Sequence, residues 1–304
     1  MSRVLLTGAS GFVGRHALTA LAAAGHEVHA VARTTGAVQP GVVWHADDLL
    51  AGSQVLAEVQ PEVLVHLAWY AEHGKFWSST ENVRWVQASL SLLRVFAAAG
   101  GRRAVIAGSC AEYEWTREVY SEDAPLRPAT LYGASKHGLH VVAGALCEQA
   151  EIELAWGRLF FLYGPFEAPG RLVASLVLSL LRGEQAQMTA GTQRRDFLHA
   201  ADAGAAFAAL ADSSVTGAVN VASGRSVPLA DLAREIARRI GREDLLAIGA
   251  RAMPAGEPPS LVADVGRLHD EVGWTPGIEL GDGLDSVIAW WRERCEEPLR
   301  EASR

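Results

Sequence analysis

Val4-Leu5-Leu6-Thr7-Gly8-Ala9-Ser10-Gly11-Phe12-Val13-Gly14 is the stretch on which the fold turns. Its first four residues make a strand-like run, and an amphipathic helical pattern follows over Phe12–Ala24. Three glycines spaced GxxGxxG between them allow a tight turn, a close approach of backbone to a ligand, and close packing of helix on strand. The helix start offers free N–H groups and the positive end of its dipole, so the ligand read from this loop is a dinucleotide pyrophosphate. Gly8, Ser10, Gly11, Phe12, Val13 and Gly14 are the candidate contacts. A glycine-rich turn without a ligand is the plainer alternative.

Outward from this unit, short β-branched runs alternate with longer helical patterns. Strands are read at Val28–Ala32, Val42–Trp44, Val63–Leu67, Arg103–Ala107 and Leu154–Phe161, with helices at Glu81–Ala99 and Leu131–Ala150. That alternation predicts an α/β fold with a doubly wound parallel sheet. After Gly164 the pattern changes to helices at Leu172–Leu181, Ala201–Asp212, Leu229–Ile240, Val265–Val272 and Leu280–Cys295, with a strand at Ala218–Val221 and a Pro-rich segment at 253–259. The expected division is a dinucleotide-binding domain of 1–163 plus 193–224 and a smaller, mainly C-terminal substrate domain of 164–192 plus 225–304.

Composition narrows the chemistry. The 304 residues are 49% hydrophobic and 20% charged, so a disordered chain is excluded. A net charge of −8 without a basic run gives nucleic-acid binding no electrostatic support. The most apolar stretch, Leu172–Leu181, is about half the ~20 residues that span a bilayer. Cys110, Cys147 and Cys295 are odd in number and in no metal-ligand spacing, and a signal-peptide pattern is missing from MSRVLLTGAS. A cytoplasmic protein without disulfides or a metal site is expected.

At the end of the second strand, Arg33-Thr34-Thr35 carries no carboxylate to bind a ribose 2′-hydroxyl or repel a 2′-phosphate. NADP(H) is therefore favoured over NAD(H), with Arg33 as the phosphate contact, although a strand-end arginine is also an ordinary surface cation. Asp48-Leu49 is placed to meet the adenine or to cap the next helix. Only two of the 27 basic residues are lysines, Lys75 and Lys136. Lys136 stands four residues after Tyr132 at a helix start, so the pair shares a face. A phenol near ~10 must come down to exchange protons at neutral pH, and an adjacent ammonium pushes that way.

Thr7–Gly14, His66-Leu67-Ala68, Gly108–Tyr113, Tyr132–Lys136, Arg158–Pro165, Arg195–His199 and Asn220–Gly224 together resemble the extended short-chain dehydrogenase/reductase family over nearly the whole chain. This is the Rossmann-fold group of NAD(P)-dependent nucleotide-sugar epimerases, dehydratases and ketoreductases. The resemblance implies that Tyr132 is the acid/base, that Lys136 lowers its pKa and holds the nicotinamide ribose, and that Ser109 hydrogen-bonds the reacting oxygen. It adds Leu67, Ala68 and Trp69 to the cofactor site. Trp69, Tyr70, Cys110, Ala111, Phe161, Arg195 and Arg251 become the substrate side, the two arginines as clamps for a nucleotide diphosphate.

Three departures separate the chain from the family pattern. Ser109-Cys110-Ala111 stands where dehydratases of the family carry Thr-Asp-Glu, which argues against dehydration. Phe161 replaces a substrate-contacting Asn, and Ala32 replaces the acidic residue after the second strand. The expectation is an NADP(H)-dependent ketoreductase of a nucleotide-linked deoxysugar, with an NAD-dependent 4-epimerase as runner-up and a non-catalytic NADP sensor third. A homodimer through the helices Glu81–Ala99 and Leu131–Ala150 is the arrangement that the resemblance implies.

Overall fold

The computed structural model describes residues 1–52 and 55–301. Five strands, β1 (Arg3–Thr7), β2 (Glu27–Ala32), β3 (Val42–Ala46), β4 (Val63–His66) and β5 (Arg103–Ser109), join Glu153–Leu159 and Gly217–Val221 in one sheet. Its order is Gly217–Val221, Glu153–Leu159, β5, β4, β1, β2, β3, and every pairing is parallel. The reversal of direction at β1 leaves a crevice at the carboxyl ends of β1 and β4, where such sheets bind ligands.

Both faces of the sheet are covered, which is why its strands are apolar at successive positions. Helices are α1 (Gly14–Ala23), α2 (Val55–Val59), α3 (Glu81–Ala98), α4 (Leu131–Gln149), α5 (Leu172–Leu181), α6 (Ala200–Asp212), α7 (Leu229–Ile240) and α8 (Leu280–Glu301). Val4, Leu6 and Val105 pack on α1 and α6 through Leu18, Leu21 and Phe207. Leu5, Leu64 and Ile106 face the other way, onto Leu93 and Phe96 of α3 and Leu139 and Ala143 of α4. A separate core of α5, α7 and α8 is built around Val177, Ile236 and Val287.

Two elements depart from the sequence reading. The strand expected over Leu154–Phe161 leaves the sheet after Leu159, and Phe161–Tyr163 pairs instead with Phe197–His199 in a two-stranded ribbon. The buried Asp196 carboxylate explains the diversion: it accepts from the backbone of Ser223, Gly224 and Ala263 and pins that ribbon beside the sheet. The helix expected over Val265–Val272 is a single wide turn, Arg267–Glu271, closed by a bond from Val272 N to Arg267 O. Arg267 is drawn sideways onto the carbonyls of Thr216 and Ala218, which stops regular winding. No helix among the described residues is long and apolar enough to cross a membrane.

Candidate active site

The glycine loop lies as its spacing implies. Gly8 has φ +71° and approaches so close that a Cβ would lie 2.7 Å from Ala68 N. A Cβ on Gly14 would overlap Gly8 O, so the third glycine lets helix and strand touch. Ser10 and Gly11 are exposed, and no side chain caps α1 at Val13, so the helix start is open to an anion. These residues fit a dinucleotide pyrophosphate. Arg15 braces the loop from outside, donating to Ser10 O at 2.8 Å and stacking 3.9 Å from the Phe166 ring centroid. Thr7 and His66 tie the ends of β1 and β4 together at 2.7 Å, and His66 reaches Ser89 on its other side at 2.8 Å.

Along the edge, Arg33, Thr34 and Thr35 are all exposed. Asp48 accepts from Leu50 N at 3.0 Å, and Leu49 packs against the core behind the sheet. The Asp48 side chain closes a local turn ahead of the next helix, Val55–Val59, rather than capping that helix.

Tyr132 and Lys136 sit in the first turns of α4, whose start is capped by Thr130 accepting from Gly133 N at 3.1 Å. Gly133 is required there, because a Cβ would overlap Ala111 O and push the helix away from the 3-10 turn Cys110–Glu112. Ser109 caps that turn, its hydroxyl accepting from Ala111 N at 3.2 Å, and the same hydroxyl acts on the Tyr132 phenol. Phe76 and Trp77 stand edge-on to the Tyr132 ring at 4.9 and 5.7 Å, with Trp115 beyond. Lys136 is 3% exposed; its ammonium donates to Ala107 O at 2.8 Å and lies 3.6 Å from the Trp69 ring centroid. Trp69 is held by Asn82 at 2.9 Å.

Burial governs the ionisation of this cluster. It pushes the Tyr132 phenol up to about 12, with the Ser109 hydroxyl pulling the other way. The downward shift expected for the phenol is therefore not seen, because loss of water outweighs the Ser109 hydroxyl and the Arg171 charge. Burial brings the Lys136 ammonium down to about 7, against the pull of the Glu112 carboxylate. The Cys110 thiol is raised to about 12, again by burial, and is a poor acid.

The substrate-side candidates are more scattered. Arg195 is buried, paired with Glu257, and lies 5.3 Å from the Phe161 ring centroid. Arg251 is exposed, with its backbone bonded to Met188 O. Tyr70 donates to Glu72 at 2.9 Å, and Lys75 pairs with the same carboxylate at 2.6 Å.

Sequence reasoning passed over three residues. Arg171, at the start of α5, acts electrostatically on both Tyr132 and His73, but nothing distinguishes it in sequence from the other arginines. Glu112 and Arg158 form a fully buried ion pair behind Ser109 at 3.1 Å. Their signal was present, since each is a charge inside an otherwise apolar or small-residue run. His137 and His140 bring nitrogens within 4.8 Å of the Glu112 carboxylate. That carboxylate already accepts from Arg158, Trp156 and Ser109 N, so a cation there would have to compete with the Arg158 guanidinium.

Comparison with known proteins agrees with this arrangement. The pattern of the NAD dependent epimerase/dehydratase family matches residues 4–222. UDP-glucuronic acid decarboxylase 1 of Xenopus tropicalis is 26% identical, over 97% of this chain and 73% of its own length. GDP-6-deoxy-D-mannose reductase of Pseudomonas aeruginosa is 28% identical, over 97% of this chain and 99% of its own. The structure of MoeE5 in complex with UDP-glucuronic acid and NAD superposes with a TM-score of 0.85 at 29% identity, covering 96% of this chain and 99% of that one. The chain, with its glycine loop, its parallel sheet, a half-buried Tyr132 and a buried Lys136, is an enzyme of the extended short-chain dehydrogenase/reductase type and belongs to the NAD dependent epimerase/dehydratase family.

Proposed function

We propose that the protein is an NADP(H)-dependent ketoreductase acting on the carbonyl of a nucleotide-linked deoxysugar. The observation that carries this reading is the poverty of the crevice in proton shuttles. Tyr132 is flanked by one hydroxyl, Ser109, while Cys110 is a weak acid and Glu112 is locked behind in its ion pair. One donor suits the reduction of a ketone, whereas loss of water needs a second acid and a base. The full-length likeness to a GDP-6-deoxy-D-mannose reductase points the same way. Arg33 with Thr34 and Thr35, exposed and free of a neighbouring carboxylate in sequence, suits a 2′-phosphate.

A bound nicotinamide supplies the hydride. Ser109 then holds the ketone oxygen, and Tyr132 delivers the proton to it. Lys136, pinned between Ala107 O and the Trp69 face, stabilises the phenolate left behind. Arg195 and Arg251 are assigned to the diphosphate, Arg195 exchanging Glu257 for it. We assign residues 164–192 plus 225–304 to substrate binding and the faces of α3 and α4 to a homodimer in the cytoplasm.

The test is stoichiometric. Incubated with a nucleotide-linked 4-keto-6-deoxysugar, the enzyme should consume one NADPH per alcohol formed, read at 340 nm, and Tyr132→Phe should lower turnover ~10²–10⁴-fold with cofactor affinity near normal. Interconversion of two nucleotide sugars by tightly held NAD, with added NADPH ignored, overturns the reading in favour of a 4-epimerase.

A further inference from the structure

We propose that Glu112 is a positioning residue of the acid/base pair: its buried carboxylate fixes Ser109 in the crevice and serves as the stationary counter-charge that keeps Lys136 an ammonium. The proposal rests on the assignment of Tyr132 and Lys136 as the acid/base pair.

The geometry is specific. Glu112 is 0% exposed, and its oxygens accept from Ser109 N at 2.7 Å, Trp156 Nε1 at 3.0 Å and Arg158 Nε at 3.1 Å. Ser109 reciprocates by capping the same turn, so its position is set from both ends. Gly108 is bare for a reason: a Cβ there would lie 2.6 Å from the carboxylate. Arg158 is in turn held by Tyr113 and by Glu122 O, each at 3.0 Å, and Tyr113 by Asn220 at 2.7 Å. The carboxylate cannot swing away without breaking this chain.

Charged and titratable groups around the pair come from every neighbouring element. The strand Glu153–Leu159 brings Arg158, and α4 brings His140, 4.0 Å from Glu112 and stacked on Trp156. His66 faces Lys136 from β4, but burial holds its imidazole neutral, down at about 3. Cys110 and Arg171 face Tyr132. Of these, Glu112 is the one anion acting on Lys136, where burial alone drives the proton off. The same carboxylate opposes ionisation of Tyr132. Both effects have one sign: neutralising Glu112 lowers the pKa of Lys136 and of Tyr132 together.

The lysine count makes a substrate-free test available. With 13Cε-labelled lysine the protein has two resonances, from the exposed Lys75 and the buried Lys136. Glu112→Gln is expected to lower the Lys136 titration midpoint by about one unit or more while Lys75 stays put. Glu112→Asp, which keeps the charge, should restore most of the shift. If Glu112→Gln fails to fold because Arg158 is left unpaired, Glu112→Gln with Arg158→Gln removes both charges and keeps hydrogen-bonding amides. In the enzyme assay, the alkaline limb of kcat for ketone reduction should move to lower pH in step with the resonance. A midpoint that Glu112→Gln leaves unmoved, or that does not fall in the double variant relative to Arg158→Gln alone, overturns the proposal. Absence of any ketoreductase activity in the unaltered enzyme, with the resonance shift intact, would instead sink the functional reading alone.

Discussion

Behind Tyr132, the side chains of Glu112, Trp156 and Arg158 are shut away from water, whereas in front of it Tyr70, Glu72 and Lys75 make their ionic contacts on the surface. Both regions carry a carboxylate bound to a cation at hydrogen-bond distance, yet they cannot do the same work. A buried pair survives only when every lone pair and proton is matched, so its geometry is unique and its loss is costly. An exposed pair is screened and exchanges partners freely. The rear wall therefore fixes the turn beside Tyr132, whereas the front loop is held by exchangeable contacts.

The contrast is broken first at Arg158. Arg158→Met should destabilise the protein by about 3–5 kcal/mol, because Glu112 is left as an unpaired buried charge. Thermal and urea melts read it directly, and a variant as stable as the parent would erase the difference between the two regions. Gly133→Ala is the next largest expected effect. The added methyl collides with Ala111 O, costing about 1–3 kcal/mol in a melt. By tilting α4 it should also lower kcat by up to ~10²-fold, more than it raises KM. A kcat matching the parent would mean that the helix start tolerates displacement. Smallest is Lys75→Ala at the front, where the melting temperature should stay the same within error. A clear fall there would show that the loop is held as rigidly as the wall.

Much of the architecture was legible in sequence for identifiable reasons. The glycine loop announces itself because each of its three glycines answers a separate steric demand, visible as spacing. The inner strands β1, β4 and β5 read easily because a sheet covered on both faces favours apolar residues at successive positions. Leu154–Phe161 misled because a run interrupted only at Gly157 and Arg158 carries no mark of where it changes partners, and the anchor that diverts it, Asp196, lies far along the chain. The wide turn Arg267–Glu271 was misread because its side-chain ties to Thr216 and Ala218 are non-local.

The site divides along the same line. Residue types and spacing alone determined that Gly8–Gly14 forms a tight glycine turn at a helix start and that Tyr132 and Lys136 share a helical face, since both depend on contacts within a few residues. Tertiary structure alone decided that burial raises the Tyr132 phenol and lowers the Lys136 ammonium, and that Glu112 stands behind both. Spacing along a chain conveys which groups are neighbours, but the loss of water around a charge depends on segments that meet only when the whole sheet and its helices have closed over it.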